Sequence, residues 1–259
     1  MAGGPIVFRT LIFCACLVGL VAGLALTAVQ AVGVTPIILA AEKFEVVEEA
    51  ASAGEPHSHD EGAAGHHSQE TWAPQDGVER TLYSAVANIL AGIGFAAVVL
   101  ALMRQLRGMG WVRVSPMKGV LWGIAGFIVI FLAPAIGLPP EIPGAEAAVL
   151  GQRQGWWLLA VTASGIGLGI VALAPVRFKL AGVLILAVPH LVGAPHHGGP
   201  VFTHPDAGAV AALNELHHQF ILASGVTNLV FWLVTGVLSA ALFQRYIQDS
   251  ARNGAPNAA

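Results

Sequence analysis

Four histidines and four acids share one stretch, EPHSHDEGAAGHHSQE at residues 55–70. Imidazole is the commonest metal-binding side chain, and with carboxylates beside it the set suits Co²⁺, Ni²⁺, Zn²⁺ or Cu²⁺. The Gly, Ala and Ser around His57, His59, His66 and His67 can bury no core, so this loop should be flexible and solvated. Such a loop raises the local metal concentration without imposing a geometry. An acidic loop with incidental histidines is the plainer alternative.

A second group has more shape. LAVPHLVGAPHHGGP, residues 186–200, places His190 after Pro189 at the end of an apolar run, and His196 and His197 between Pro195 and two glycines. Proline restricts the backbone and glycine lets it turn tightly, so this stretch reads as a shaped loop. His217 and His218 stand just before the last apolar run. Two or three neutral imidazoles from these five positions, with Asp206 or Glu215, could form the mouth of a metal path. His204 reads as an ordinary interfacial histidine.

What must position these groups is a membrane-embedded scaffold. Of the 259 residues, 56% are hydrophobic and 10% charged, far below the roughly 25% charge of soluble domains. Apolar runs occur at about 11–29, 82–103, 118–136, 156–174, 180–193 and 220–243, most near the roughly 20 residues that cross the hydrocarbon core. The expectation is an all-α polytopic bundle of about six spans, a single integral membrane domain over 1–259 with a flexible His- and acid-rich loop at 42–80. The fifth run is short and interrupted by Pro189. Arg9, the apolar stretch after it and VQA at 29–31 also fit a cleavable signal, which would leave five spans.

Charge sets the sidedness. With an even number of spans, the N-terminus, the 104–117 loop, the 175–179 turn and the C-terminus share one side, and that side holds nine of the twelve basic residues. An excess of Lys and Arg in short loops marks the cytoplasm. Fourteen of the fifteen acids and all ten histidines then fall at the outer side.

Two other stretches punctuate that outer side. TWAPQDGVERTLYSAVANIL, 71–90, reads as a turn with Trp72 as an interfacial anchor, and LAPAIGLPPEIPGAEAAVLGQRQGWW, 132–157, as a proline-rich connection. Glu141 and Glu146 could add oxygen ligands there, although a structural turn is the simpler reading of both stretches. Between the ends of the six runs there is no Asp, Glu, Lys or Arg, whereas ion-coupled pumps usually keep one inside. Asn88, Asn228 and a few Ser and Thr are the polar groups available between helices. Gly19, Gly23 and GIGLG at 165–169 permit close helix packing. Cys14 and Cys16, two apart in an apolar run, read as small apolar fillers. The GxxxxGK[ST] phosphate loop is missing from the sequence, so no nucleotide is expected.

Together VTPIILAAEKFE, W-x-P-x-DGVER, APAIGLPPEIPGAEAA, RQGWW and PHLVGAP resemble the CbtA family of predicted cobalt transporter subunits. The likeness of motifs runs from the first span to PHLVGAP and then fades. It implies a bacterial inner-membrane protein that takes up Co²⁺ for cobalamin synthesis with a small one-span, histidine-bearing CbtB-like subunit. It also implies that His190 and His196 are the first residues to test, with Glu42, Glu45, Asp76 and Glu141 as helpers. The family pattern has five spans where the hydropathy gives six. Ni²⁺ and Zn²⁺ share the ligand preferences of Co²⁺ and are not separated by sequence.

Two other classes compete: a membrane-bound metal buffer or sensor, and a metalloenzyme with its site on the outer face. The repeated histidine boxes of di-metal membrane oxidases and the intramembrane axial histidines of haem b proteins are both missing from the sequence, which leaves transport without catalysis as the expectation. Nothing suggests a nucleic-acid partner. The lipid bilayer is the expected surround.

Overall fold

The computed structural model describes residues 4–52 and 74–247, and among them every regular element is helical. α1 spans Gly4–Gly33 and α2 Thr35–Ser52, separated by a single turn residue. α3 is Val78–Gly108, α4 Pro116–Gly137, α5 Leu150–Leu173, α6 Val176–Val192 and α7 Ala207–Ile247. Five of these contain segments long and apolar enough to cross a membrane, namely α1 from Phe8 onward, α3, α4, α5 and α7.

α6 holds the fifth apolar run, and it is short as expected. Its 17 residues rise about 26 Å at 1.5 Å each, a little under the hydrocarbon thickness. Pro189 does not break it; the helix continues to Val192 and stops at Gly193, whose φ of 84° suits a residue without Cβ. The lost hydrogen bond is the one to the Ile185 carbonyl, and only three residues of helix follow the proline. Pro134 is handled differently. The chain widens into a π-helical segment at Ile128–Leu132, where the Ala133 N–H bonds back to the Ile128 carbonyl, just before the proline ring needs room.

Antiparallel pairs build the bundle, and glycine sets each seam. A Cβ on Gly92 of α3 would stand 2.8 Å from the Gly19 carbonyl oxygen of α1. One on Gly123 of α4 would strike the Trp232 carbonyl of α7, and one on Gly167 of α5 would come within 2.7 Å of the Gly182 carbonyl of α6. Backbones this close gain dispersion contacts that lipid tails cannot match. The main core joins α1, α3, α4 and α7 around Cys14, Val18, Leu100, Met103, Phe231 and Trp232. The α5–α6 hairpin flanks this core, with α5 packed on α4.

At one end of the bundle a second, smaller core lies outside the apolar spans. Ala41 of α2, Ile142, Phe202 and Leu213 of α7 close on one another, with Ile37, Phe44 and Phe220 around them. Ile37, Ala41 and Phe44 recur at i, i+4 and i+7, the stripe of an amphipathic helix. Hydropathy alone treats this region as loop. α7 likewise begins at Asp206, whose side chain accepts from the Gly208 N–H, so His217 and His218 are on the helix rather than before it.

Candidate functional site

The described carboxylates Glu42, Asp76, Glu79, Glu141, Glu146, Asp206 and Glu215 all lie at the end of the bundle capped by α2, as do the described histidines. The opposite end carries Arg104, Arg107, Arg113, Lys118, Arg177, Lys179 and Arg245. The acidic end is a folded cap in which arginines hold Glu42, Asp76 and Glu141.

Arg80, in the first turn of α3, joins two elements. Its Nη2 donates to Glu42 Oε1 of α2 at 2.7 Å, and its Nη1 to Glu42 Oε2 at 3.1 Å and to Asp76 Oδ1 at 3.0 Å. Beside it, under α2, is a cavity of about 280 Å³ whose lining includes Thr27, Gln30, Thr35, Asp76 and Ser84. Two turns along α3, Asn88 Nδ2 donates to Thr27 Oγ1 at 3.0 Å and to Gln30 Oε1 at 2.6 Å. Polar groups therefore reach from the cap into the first turns of the bundle. A larger cavity of about 600 Å³, between the π segment of α4 and the start of α5, is mainly apolar, with Glu141 and Arg153 as its charged members.

Arg153 Nη2 donates to Glu141, while its Nε is buried without a partner. One turn on, Trp156 is buried and its Nε1 donates to the Pro189 carbonyl at 3.1 Å. That bond fixes the end of α6 and sets His190 edge-on to the same indole, ring centroids 6.0 Å apart. Both ring nitrogens of the half-buried His190 stay clear of hydrogen bonds to other described residues.

His217 Nε2 donates to the Pro140 carbonyl at 3.0 Å, which leaves Nδ1 as the lone-pair side of the ring. A histidine that donates one N–H to a carbonyl and offers the other nitrogen has the orientation found in metal ligands. Phe202 packs against it at 5.7 Å and His218 stacks beside it at 6.5 Å. His204 is the opposite case: its Nδ1 already accepts from the Asp206 N–H, and its ring rests on Phe44. His196 and His197 are exposed on the 193–206 loop.

Among the described residues, no three His, Cys, Asp or Glu side chains converge on a metal position. Only His217 and His218 come together; His190, His196 and His197 share the same end without touching that pair. His57, His59, His66 and His67 lie outside the described residues, and so does the side chain of Glu45. Glu215 accepts from Gln219, and Asp206 is spent on the helix cap. The arrangement can take a hydrated cation one imidazole at a time, at an open surface.

Sequence reasoning singled out Glu42, Asp76 and Glu141 but not the arginines that hold them. The signal was present in the quoted stretches. VTPIILAAEKFE meets DGVER through Glu42 and Arg80, GLPPE meets RQGWW through Glu141 and Arg153, and RQGWW meets PHLVGAP through Trp156 and Pro189.

A family model described as "Probable cobalt transporter subunit (CbtA)" matches residues 8–244. The match extends beyond PHLVGAP to nearly the end of α7. No curated protein and no solved structure matches the chain.

Proposed function

The chain belongs to the CbtA family of cobalt transporter subunits, and from that premise we propose that it moves Co²⁺ across the bacterial cytoplasmic membrane, inward, to feed cobalamin synthesis. The acidic, histidine-bearing end faces out and the basic end faces the cytoplasm, so both termini are cytoplasmic. The loop with His57, His59, His66 and His67 concentrates metal at the outer side. His190, His196, His197, His217 and His218 receive it at the mouth of the bundle, exchanging waters stepwise for imidazole nitrogens. A subunit works in a complex, and a small one-span CbtB-like protein is the proposed partner.

The observation that carries this reading is His217: held by the Pro140 carbonyl on one nitrogen, it presents the other nitrogen beside His218 at the acidic end. Weak, open ligation suits transport, because a carrier must release what it binds. Nickel remains a competitor on chemical grounds, since divalent neighbours share ligands.

Uptake of radioactive cobalt by cells lacking other cobalt transporters tests the proposal, with this chain expressed alone and with its small partner. Uptake that His190→Ala, His196→Ala and His217→Ala each reduce at constant protein level supports it. Parental uptake in all three variants would remove these histidines from the mechanism.

A further inference from the structure

The transporter reading leaves open where an ion crosses a bundle with no ionised side chain in the middle of its spans, and α7 offers an answer. Five buried polar side chains occur among the described residues, Ser164, Ser224, Thr227, Thr235 and Ser239, and four of them are on α7. With Asn228, they run down the helix as 224, 227–228, 235 and 239, spacings that keep 224, 228, 235 and 239 on one face.

The stripe has two halves that differ. In the upper half the groups satisfy themselves: Thr227 Oγ1 donates to the Ala223 carbonyl at 2.7 Å, and Asn228 Nδ2 to the Ser224 carbonyl at 3.0 Å. In the lower half the Thr235 and Ser239 hydroxyls are fully buried and have no partner. Serine and threonine in apolar helices ordinarily bond the carbonyl four residues back. Two consecutive turns with idle hydroxyls in a tightly packed bundle are costly unless something polar visits them.

Between the halves sits an aromatic cluster. Phe95 of α3 lies 6.1 Å from Phe231 and 5.1 Å from Trp232, whose rings are 5.6 Å apart. It interrupts the polar stripe at residues 231–232, and a hydrophobic constriction of this kind closes a path by excluding water.

We propose that Thr235 and Ser239 line the inner half of the path taken by a hydrated divalent cation, closed in this structure by Phe95, Phe231 and Trp232. The inference rests on the transporter reading, and it adds a lane, a gate and a direction along α7. The hydroxyl oxygens replace part of the water shell without holding the ion, and the basic end beyond them favours release over retention.

Two measurements test it. The first is uptake of radioactive cobalt by Thr235→Val and Ser239→Ala, singly and together, at matched membrane abundance. Both changes conserve or reduce volume, so the bundle should still assemble. The double variant is expected to lose at least five-fold in uptake rate, whereas Ser164→Ala, which removes an equally buried and unpartnered hydroxyl in the flanking hairpin, leaves it unchanged. Uptake by the double variant within two-fold of the parent overturns the proposal, as does an equal loss in Ser164→Ala. The second is maleimide labelling of Thr235→Cys and Ser239→Cys in native membranes, resolved by peptide mass. Maleimide reacts with thiolate and so requires water. Labelling at both positions supports a wet lane; no labelling overturns it. If the parent takes up no cobalt, the transporter reading fails, and labelling alone decides whether α7 carries a lane.

Discussion

The two ends of the bundle and the span between them follow different rules. Inside the membrane the helices meet on backbone, with Gly19 on Ile93, Gly123 on Trp232 and Gly167 on Gly182, and no charge intervenes. At the acidic cap the same helices are joined by side chains: Arg80 to Glu42, Arg153 to Glu141, Trp156 to the Pro189 carbonyl and His217 to the Pro140 carbonyl. Backbone seams tolerate almost no change in size. Side-chain clasps in contact with water are individually weak, and so can be exchanged. The proposed transport, with an ion accepted at one end and confined in the middle, uses both kinds of joint.

The sharpest way to break this contrast is to add a branched side chain to a seam. Gly123→Val puts bulk against the Trp232 carbonyl and the Leu233 backbone, with no flexible side chain to yield. The expected cost exceeds about 3 kcal/mol, and little folded protein should reach the membrane fraction on an immunoblot. The cap should behave otherwise. His217→Ala with His218→Ala is expected to leave abundance near the parental level while raising the cobalt concentration for half-maximal uptake about ten-fold, because binding is impaired but the bundle is intact.

A smaller effect is expected at the Arg80 clasp. Its partners keep about a third of their side-chain surface in water at Glu42 and more at Asp76, so the pair is worth about 1 kcal/mol or less. A double-mutant cycle with Glu42→Gln and Arg80→Ala, followed by thermal unfolding in detergent, should return a coupling of that size. Coupling of several kcal/mol would make the cap as rigid as the seams and remove the distinction. The smallest effect belongs to His204. Because its Nδ1 accepts from the backbone of Asp206, His204→Ala should leave the cobalt dependence of uptake unchanged within two-fold.

Much of this architecture was legible in the chain. The apolar runs mark the five helices long and apolar enough to cross a membrane, and the shorter α6 beside them, since hydrocarbon admits little but helix. Charge asymmetry separates the two ends, and the short fifth run is the short α6. α2 was hidden because its apolar stripe, Ile37, Ala41 and Phe44, is too narrow to register as a hydrophobic run. The same cause hid the first three turns of α7, where Val210, Leu213 and Leu216 alternate with Asn214, Glu215, His217 and His218. Periodicity carries that information where average hydropathy does not. The ion pairs lie further still from what spacing can give: Glu42 and Arg80 are 38 residues apart, and only the antiparallel return of the helices brings them together. The histidines could be singled out by type, yet what each ring can offer depends on what occupies its second nitrogen. That separates His217 from His204, and no sequence pattern separates them.

The central claim is that histidines at the acidic end admit Co²⁺ to a path through the bundle. Its most direct test is flux into liposomes holding the purified chain with its small partner in a determined orientation, with a cobalt-sensitive chelating dye inside. The account predicts dye quenching when Co²⁺ is supplied on the acidic side, and its loss when His190, His196, His197, His217 and His218 are replaced together by alanine. Cobalt bound at that face with no quenching inside, or quenching untouched by the fivefold replacement, would contradict it.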